Sequence, residues 1–153
     1  MLLPFNSQLL DDVDRHAIEE YPNECCGIIL GKPGDPQYDL FRPCENIQNK
    51  LHEKDPEQYP RDAKTAYNIS PLELMKITNE ARDKGLEFKT LYHSHPEHDA
   101  YFSEEDRRMA LFDDEPVYPG VSYLVISVYN RIIKDRALFM WDASSKTFQK
   151  QTI

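Results

Sequence analysis

Three stretches of the chain carry apolar residues at the spacing of an α-helix. The first begins at Ser7, a suitable N-cap, and ends at the turn-forming residues 21–23. The second begins at Ser70 and ends at Gly85, and the third runs over residues 103–112. The predicted buried faces of the first two helices comprise Leu9, Leu10, Val13, Ala17 and Ile18, and Leu74, Ile77, Thr78 and Ala81.

Short apolar runs predict β-strands between these helices. The clearest is SYLVISVY at residues 122–129, after which Asn130-Arg131 can turn into another strand, and CCGIIL at 25–30 is typical of a buried strand. Further predicted strands cover residues 38–42, 87–95, 137–141 and, at an edge, 147–152. Because helices and strands follow one another in a mixed order, we expect an α/β fold. It would be a single domain over residues 1–153, with a mixed β-sheet flanked by helices.

The segment between the second predicted strand and the second predicted helix is unusual. Residues 45–65 are polar, contain two prolines and show neither a helical nor a strand period. The sequence therefore predicts a long surface loop. A loop of this length in a compact domain is usually functional or mobile.

Composition and charge narrow the classes of function. Eighteen basic residues against 27 acidic ones give 153 residues a net charge of -9, which disfavours nucleic acid as a partner. No apolar run is long enough to span a membrane, and MLLPFNSQLLDD lacks the basic start of a signal peptide. The three cysteines have no paired spacing and fit a reducing compartment. We therefore expect a cytoplasmic protein without a membrane partner.

Candidate chemistry concentrates in HSHPEH at residues 93–98. In a strand, His93 and His95 point to the same face, with Cα atoms roughly 6.5–7 Å apart. Two imidazoles at that spacing can bind one Zn²⁺. Asp106, in the first turn of the next predicted helix, is a candidate third ligand. A catalytic zinc commonly has three protein ligands and a water, so these three residues predict such a site.

Other interpretations compete for the same residues. A His-x-His pair in a strand is often polar surface, and Ser103-x-x-Asp106 is also a helix-capping pattern with Asp106 at N3. The histidine run resembles the HxHxDH pattern of metallo-β-lactamase-fold hydrolases, with Glu97 in place of aspartate. No histidine follows His98 to supply the further ligands of that fold. The zinc signature of cytidine deaminases, HxE followed by PCxxC, is absent.

Together these residues resemble the signature of the JAMM (MPN+) metalloprotease family. His93-Ser94-His95, followed after seven residues by Ser103 and then by Asp106, matches its H-[ST]-H and S-x-x-D elements. The family also has an upstream glutamate in an E-x-x-G context before an apolar strand, and Glu24-Cys25-Cys26-Gly27 is similar to it. The similarity covers most of the chain. It implies the JAMM/MPN fold, an α-β-α arrangement like that of cytidine deaminases.

The resemblance implies a role for each residue of the signature. His93, His95 and Asp106 would hold one zinc ion per chain, with water as the fourth ligand. Glu24 would be the general base that takes a proton from that water, and Ser103 would help to stabilise the oxyanion. These roles are chemically consistent, because zinc can lower the pKa of its water to about 7 and a nearby carboxylate can accept the proton.

Family members hydrolyse peptide or isopeptide bonds that follow the C-terminal tail of ubiquitin or ubiquitin-like proteins. Compact prokaryotic members act on sulfur-carrier and related ubiquitin-like proteins, so such a protein is the expected substrate and partner. Residues 45–65 are a candidate carrier-binding flap. The released group can be a cysteine, a lysine-linked protein or a short C-terminal extension, and the sequence does not choose among these or indicate an oligomeric state.

Two functions of other kinds compete with this one. A non-catalytic MPN-type binding module would lack the metal ligands, whereas every expected ligand is present. A peptidase of the cell-wall or phage-tail type would be expected beside a second hydrolase domain or an export signal. Neither is evident in the sequence, so the zinc peptidase is the favoured hypothesis.

Overall fold

The structure is a computed structural model that describes residues 4–153. Its helices are α1 (Ser7–Glu20), α2 (Gln48–Lys54), α3 (Pro71–Lys84) and α4 (Glu104–Ala110). Its strands are β1 (Cys26–Lys32), β2 (Asp35–Cys44), β3 (Glu87–Pro96), β4 (Leu111–Phe112), β5 (Glu115–Pro116), β6 (Ser122–Tyr129), β7 (Ile132–Asp142) and β8 (Thr147–Gln151).

A six-stranded sheet in the order β2-β1-β3-β6-β7-β8 organises the described chain. Strands β3 and β6 are parallel, and the other neighbouring pairs in this sheet are antiparallel. Helices pack on both faces, so the predicted α/β fold with a mixed sheet is confirmed. Strand β3 has a hydrogen-bonded neighbour on each side, which fixes the backbone of the segment that contains the candidate ligands.

Side chains that alternate along β1 enter two separate cores. Ile29 belongs to the core beneath α1, together with Val13 and Ala17, whereas Ile28 and Leu30 belong to the core on the opposite face. The second core also contains Tyr67, Ile77, Ala81, Ala110, Val125 and Phe139. This two-sided burial explains why CCGIIL is apolar throughout instead of alternating.

Local signals define most of the helix ends. Ser70 caps α3 through its side chain, and Gly85 ends this helix in the left-handed region with φ of 66°, as predicted. At α1 the predicted N-cap was wrong by one residue. Asn6 Oδ1, not the Ser7 side chain, accepts the N–H of Gln8 at 2.8 Å. Asparagine is as good an N-cap as serine, so the helix includes Ser7 as its first residue.

The prediction that residues 45–65 form a loop was wrong in part, because they contain α2. The only residue of this helix that is fully buried is Gln48, and its amide group is hydrogen-bonded to Arg61 and Asn68. A helix held by a polar side chain shows no apolar periodicity. This is why the pattern along the sequence did not reveal it.

One helix prediction and one strand prediction also need correction. The helix predicted over residues 103–112 is α4, and it ends at Ala110 because Asp113 and Asp114 adopt positive φ and connect β4 to β5 as a tight hairpin. The strands predicted after residue 131 and at 137–141 are one continuous strand, β7. Its charged middle residues coincide with an irregularity in the pairing with β6, where Asp135 lies opposite Ser127 and Ile133 opposite Val128, so that Lys134 has no partner on β6.

The expected cytoplasmic location rested partly on the lack of a membrane-spanning run and on the unpaired spacing of the cysteines. None of the helices within residues 4–153 combines the length and apolar character needed to cross a membrane. Cys25, Cys26 and Cys44 are buried and free of disulfides. Burial raises the pKa of the Cys25 and Cys44 thiols to about 12, so they stay protonated and act as small apolar core residues.

Gly27, the glycine of the E-x-x-G element, lies against the ring of Tyr92 on the neighbouring strand. A Cβ at this position would be 2.3 Å from Tyr92 Oη and 2.4 Å from two ring carbons. Tyr92 is fully buried, and its hydroxyl shares a hydrogen bond with His16 Nδ1 at 2.7 Å. The ring therefore has little room to move, and the packing requires glycine at position 27.

We expect Gly27→Ala to destabilise the fold by about 1–3 kcal/mol, the usual range for overpacked cores. Urea denaturation measures this loss. The same substitution in a Tyr92→Leu background is the matched control, since a smaller side chain relieves the clash and lowers the added cost. An equal cost of Gly27→Ala in both backgrounds would contradict the packing argument.

Candidate metal centre

Two histidines meet at the carboxyl end of the central strand pair. His93 and His95 are two positions apart on β3 and project to the same face, as predicted. His93 lies opposite Cys26 of β1 and Val125 of β6, so neighbouring strands fix its backbone from both sides. Both imidazoles are buried.

Asp106 reaches these imidazoles from the first turn of α4. Its Oδ1 lies 3.0 Å from His93 Nε2, and its Oδ2 lies 3.0 Å from His95 Nε2. Ser103 Oγ accepts the Asp106 N–H, and Asp106 Oδ2 accepts the Ser103 N–H, each at 3.0 Å. The predicted capping box is confirmed, and the carboxylate that closes it also faces the histidines.

The three donor groups fit a tetrahedral zinc ion. His93 Nε2 and His95 Nε2 are 3.2 Å apart. Two nitrogens bound to one Zn²⁺ at 2.0–2.1 Å are about 3.3 Å from each other. Burial opposes ionisation of Asp106, but His93 and His95 outweigh it and lower the pKa of that carboxyl. Asp106 is therefore anionic at neutral pH, as a carboxylate ligand must be.

Contacts around the imidazoles fix the orientation of the rings. His95 Nδ1 lies 2.9 Å from the carbonyl oxygen of Asp99, a geometry in which Nδ1 carries the proton and Nε2 offers its lone pair to the site. The ring of Tyr67 stacks on His93 with centroids 4.7 Å apart. Tyr101 contacts His95 edge-on and is half exposed, so it stands at the mouth of the site.

Glu24 lies beside the histidines because β1 pairs with β3. The Cys25 N–H donates to Ser94 Oγ at 2.8 Å, and the Ser94 N–H donates to the Cys25 carbonyl at 3.2 Å. Glu24 is 4% exposed, and its Oε1 has no hydrogen-bond partner among residues 4–153. Burial, reinforced by Asp106 and opposed by Arg61, raises the pKa of the Glu24 carboxyl well above its usual range. A buried carboxyl with a free oxygen is suited to accept a proton.

Comparison with known families agrees with this arrangement. The family model described as prokaryotic homologs of the JAB domain matches residues 6–142. The chain belongs to this family. The resemblance to the JAMM signature drawn from the sequence is thereby confirmed, although the role of each signature residue stays a prediction.

Relatives of this JAB protein include two named proteins. It is 27% identical over 126 residues to the desampylase of Haloferax volcanii, a match that covers 80% of this chain and 78% of the relative. It is 25% identical over 126 residues to the CysO-cysteine peptidase of Mycobacterium tuberculosis, which covers 82% of this chain and 73% of the relative.

Solved structures show the same fold. A solution structure of a protein from Desulfitobacterium hafniense matches with a TM-score of 0.69 at 21% identity, and it covers 96% of this chain and 88% of the other. One from Salinibacter ruber matches with a TM-score of 0.65 at 22% identity, over 99% and 90% of the two chains.

The other histidines of the JAB chain lie outside the site. His98 is an exposed loop residue, as predicted, and its carbonyl accepts the Ser127 hydroxyl at 2.6 Å. His16 lies on α1, where it contacts Tyr92, and His52 lies on α2. A metallo-β-lactamase site would need further histidine ligands. Within the described residues, none of the other histidines lies at the site, so the structure does not support that interpretation.

Residues 45–65 pack against Glu24, which the sequence did not predict. The Ala63 carbonyl accepts the Glu24 N–H at 2.7 Å, and Asn46 Nδ2 donates to the Glu24 carbonyl at 2.9 Å. Gln48 Nε2 donates to the Arg61 carbonyl at 2.9 Å. The half-buried amide of Asn46 and the buried amide of Gln48 thus help to fix the backbone of the candidate base and of the segment that packs against it. The only signal in the sequence was the length and polarity of this segment.

Proposed function

We propose that this JAB protein is a zinc-dependent peptidase or isopeptidase that hydrolyses the bond after the C-terminal tail of a ubiquitin-like or sulfur-carrier protein. The proposal is carried by the convergence of donor atoms from His93, His95 and Asp106, all within 4.8 Å of one another, beside the buried carboxyl of Glu24. Two imidazoles, one carboxylate and one further carboxyl that is not a ligand are the usual components of a hydrolytic zinc site.

The donor set determines what the site would hold. His93 and His95 would bind one Zn²⁺ through their Nε2 atoms, and Asp106 would bind it through its carboxylate. When bound, zinc lowers the pKa of a coordinated water to about 7 and polarises a carbonyl group. The Asp99 carbonyl supports this role by keeping the proton of His95 on Nδ1.

Glu24 is the proposed general base. Its carboxylate accepts a proton from the attacking water and then donates it to the leaving nitrogen. Burial raises the pKa of the Glu24 carboxyl, and this makes the carboxylate a stronger base for the proton of the attacking water. The hydrogen bonds from the Glu24 N–H to Ala63 and from Asn46 to the Glu24 carbonyl hold its backbone in place during both transfers.

Ser103 is the proposed donor to the scissile carbonyl oxygen as negative charge develops there. Its hydroxyl oxygen accepts the Asp106 N–H, so its hydroxyl proton can point to another acceptor. A donor of this kind typically contributes ~2.7–4 kcal/mol to the transition state. The cap and the catalytic role are compatible because they use different atoms of the hydroxyl group.

The names of the relatives support the substrate class, because one is a desampylase and the other a CysO-cysteine peptidase. By analogy, the chain would act on a small ubiquitin-like carrier in the cytoplasm, with residues 1–153 as one domain. The exposed part of the predicted flap, residues 53–58, is the proposed carrier contact. The anchored part of the segment instead supports the catalytic glutamate.

The test combines metal analysis with cleavage. We expect the purified protein to contain near one zinc per chain and to release an intact carrier ending in Gly-Gly from cysteine, lysine or linear conjugates, as weighed by mass spectrometry. Removal of zinc with a chelator should abolish cleavage, and added zinc should restore it. A protein that binds zinc but cleaves none of these conjugates would refute the proposal.

A further inference from the structure

We propose that Arg61 forms a subsite for the free α-carboxylate of a single amino acid released from the carrier. The inference rests on the proposed peptidase function and names the leaving group of that reaction. Water adds across the amide bond: the C–N bond breaks, the carrier gains a terminal carboxylate, and the amino acid leaves with its nitrogen protonated. Arg61 binds the carboxylate at the other end of that amino acid.

The direction of the leaving group follows from the proton transfer. Glu24 must donate its proton to the leaving nitrogen, so this nitrogen lies within hydrogen-bond reach of the Glu24 carboxyl. The residue attached to the nitrogen therefore extends over the surface next to Glu24. The segment that contains Arg61 and Ala63 contributes to that surface, because the Ala63 carbonyl accepts the Glu24 N–H at 2.7 Å and the charge of Arg61 acts on the Glu24 carboxyl.

Hydrogen bonds hold the backbone of Arg61 in place at this surface. Arg61 lies two residues before Ala63, and its carbonyl accepts Gln48 Nε2 at 2.9 Å. Gln48 is buried, and its Oε1 accepts Asn68 Nδ2 at 2.7 Å. The backbone that presents the guanidinium group is thus fixed relative to the backbone of Glu24.

The guanidinium group of Arg61 is available to a ligand, unlike those of three other arginines. Each of these three makes two hydrogen bonds to one carboxylate. The pairs are Arg42 with Glu80, Arg136 with Asp14 and Arg108 with Glu105. The side chain of Arg61 is 51% exposed. Among residues 4–153 its polar contacts are long, at 3.8 Å to Glu105 and 3.5 Å to the Thr65 carbonyl.

A cleft of about 300 Å³ lies at this position, at the lower end of the range for small-ligand sites. Two cations, Arg61 and Arg108, and two carboxylates, Glu57 and Glu105, line it together with Gln48 and Tyr59. Glu105 is already paired with Arg108, which leaves Arg61 as the cation that can bind an added carboxylate through two parallel N–H groups.

This chemistry favours one class of conjugate. In an amino acid joined to the carrier through its α-nitrogen, that nitrogen is part of an amide and carries no charge. The α-carboxylate is then the only charged backbone group, and its carbon is two bonds from the leaving nitrogen. In a lysine-linked protein the backbone carboxyl is itself in a peptide bond and carries no charge. Arg61 therefore selects an α-linked single amino acid, such as cysteine, over a lysine isopeptide.

The experiment uses the zinc-loaded full chain and a ubiquitin-like carrier that ends in Gly-Gly-Cys. One substrate has a free α-carboxylate, one has a C-terminal carboxamide, and a third is joined to lysine Nε. We expect kcat/KM to be about 10- to 100-fold higher for the acid than for the carboxamide. Arg61→Ala should reduce this ratio to near one, and Arg61→Lys should retain part of it.

The acid-to-carboxamide ratio is the decisive readout. Arg61 also acts on the pKa of Glu24, but any change in Glu24 alters both rates by the same factor and leaves the ratio unchanged. Arg82→Ala, which removes one exposed positive charge from α3, is the control and should keep the ratio. Equal rates for both substrates, or a ratio that survives Arg61→Ala, would overturn the subsite. Failure to cleave any of the three conjugates would instead refute the peptidase itself.

Discussion

Glu24→Gln is expected to retain zinc and to lower kcat by at least ~10²-fold, the usual scale for removal of a general base. The substitution keeps the size and polarity of the side chain but removes its ability to accept the proton. Zinc should stay bound, because the proposed ligands are His93, His95 and Asp106 and their contacts with one another do not involve Glu24. Steady-state kinetics and metal content measured on the same preparation separate these two effects.

The matched control is Glu19→Gln, which removes one exposed carboxylate from α1. It changes the net charge by the same amount and should leave kcat unchanged. Since Glu24 is buried with a free oxygen, Glu24→Gln should not destabilise the fold beyond the loss of a typical polar contact, ~1 kcal/mol. Near-normal turnover by Glu24→Gln would show that another group accepts the proton.

Asp106→Ala is expected to remove both zinc and activity. The Asp106 carboxylate contacts both imidazoles and also closes the capping box with Ser103. Loss of a cap alone costs about 1 kcal/mol and leaves a metal site intact. Loss of a ligand should weaken zinc binding by more than the ~10–100-fold typical of outer-shell partners. Zinc affinity measured by chelator competition, together with urea denaturation of the metal-free protein, distinguishes the two roles.

Two further variants separate the cap from the ligand. Asp106→Asn keeps an oxygen that can accept the Ser103 N–H, so it should retain the cap while it loses the anionic ligand. Ser70→Ala removes the cap of α3, away from the site, and should cost ~1 kcal/mol without any effect on zinc. If Asp106→Ala bound zinc as tightly as the unmodified protein and differed only in stability, Asp106 would be a capping residue and not a ligand.

Features that depend on neighbouring residues were predictable from the sequence. The apolar spacing located α1 and α3, and Asn130-Arg131, both with positive φ, form the predicted turn between β6 and β7. The alternation of a strand put His93 and His95 on one face. The local S-x-x-D pattern predicted the capping box. Each of these features requires contacts across only a few residues, so a short window of sequence contains the whole signal.

The polar segment 45–65 shows where this reasoning fails. Its helix α2 is held by hydrogen bonds of Gln48 and Asn68, and Asn46 joins the carbonyls of Glu24 and Ala66. Polar side chains that bind distant backbone groups have no characteristic period. The prediction of a surface loop was therefore wrong for residues 48–54, although the expected importance of the segment for function is consistent with its contacts to Glu24.

The sequence by itself determined the α/β class, the positions of α1 and α3 and of the central strands, and the residue types of the candidate centre. Only the tertiary structure decided that Asp106 faces both imidazoles, that Glu24 is buried, and that Arg61 is near enough to lower the pKa of the Glu24 carboxyl. The physical reason is the pairing of β1 with β3, which sets Cys26 opposite His93. The register of two strands far apart in the chain depends on the packing of both sheet faces, and no local pattern specifies it.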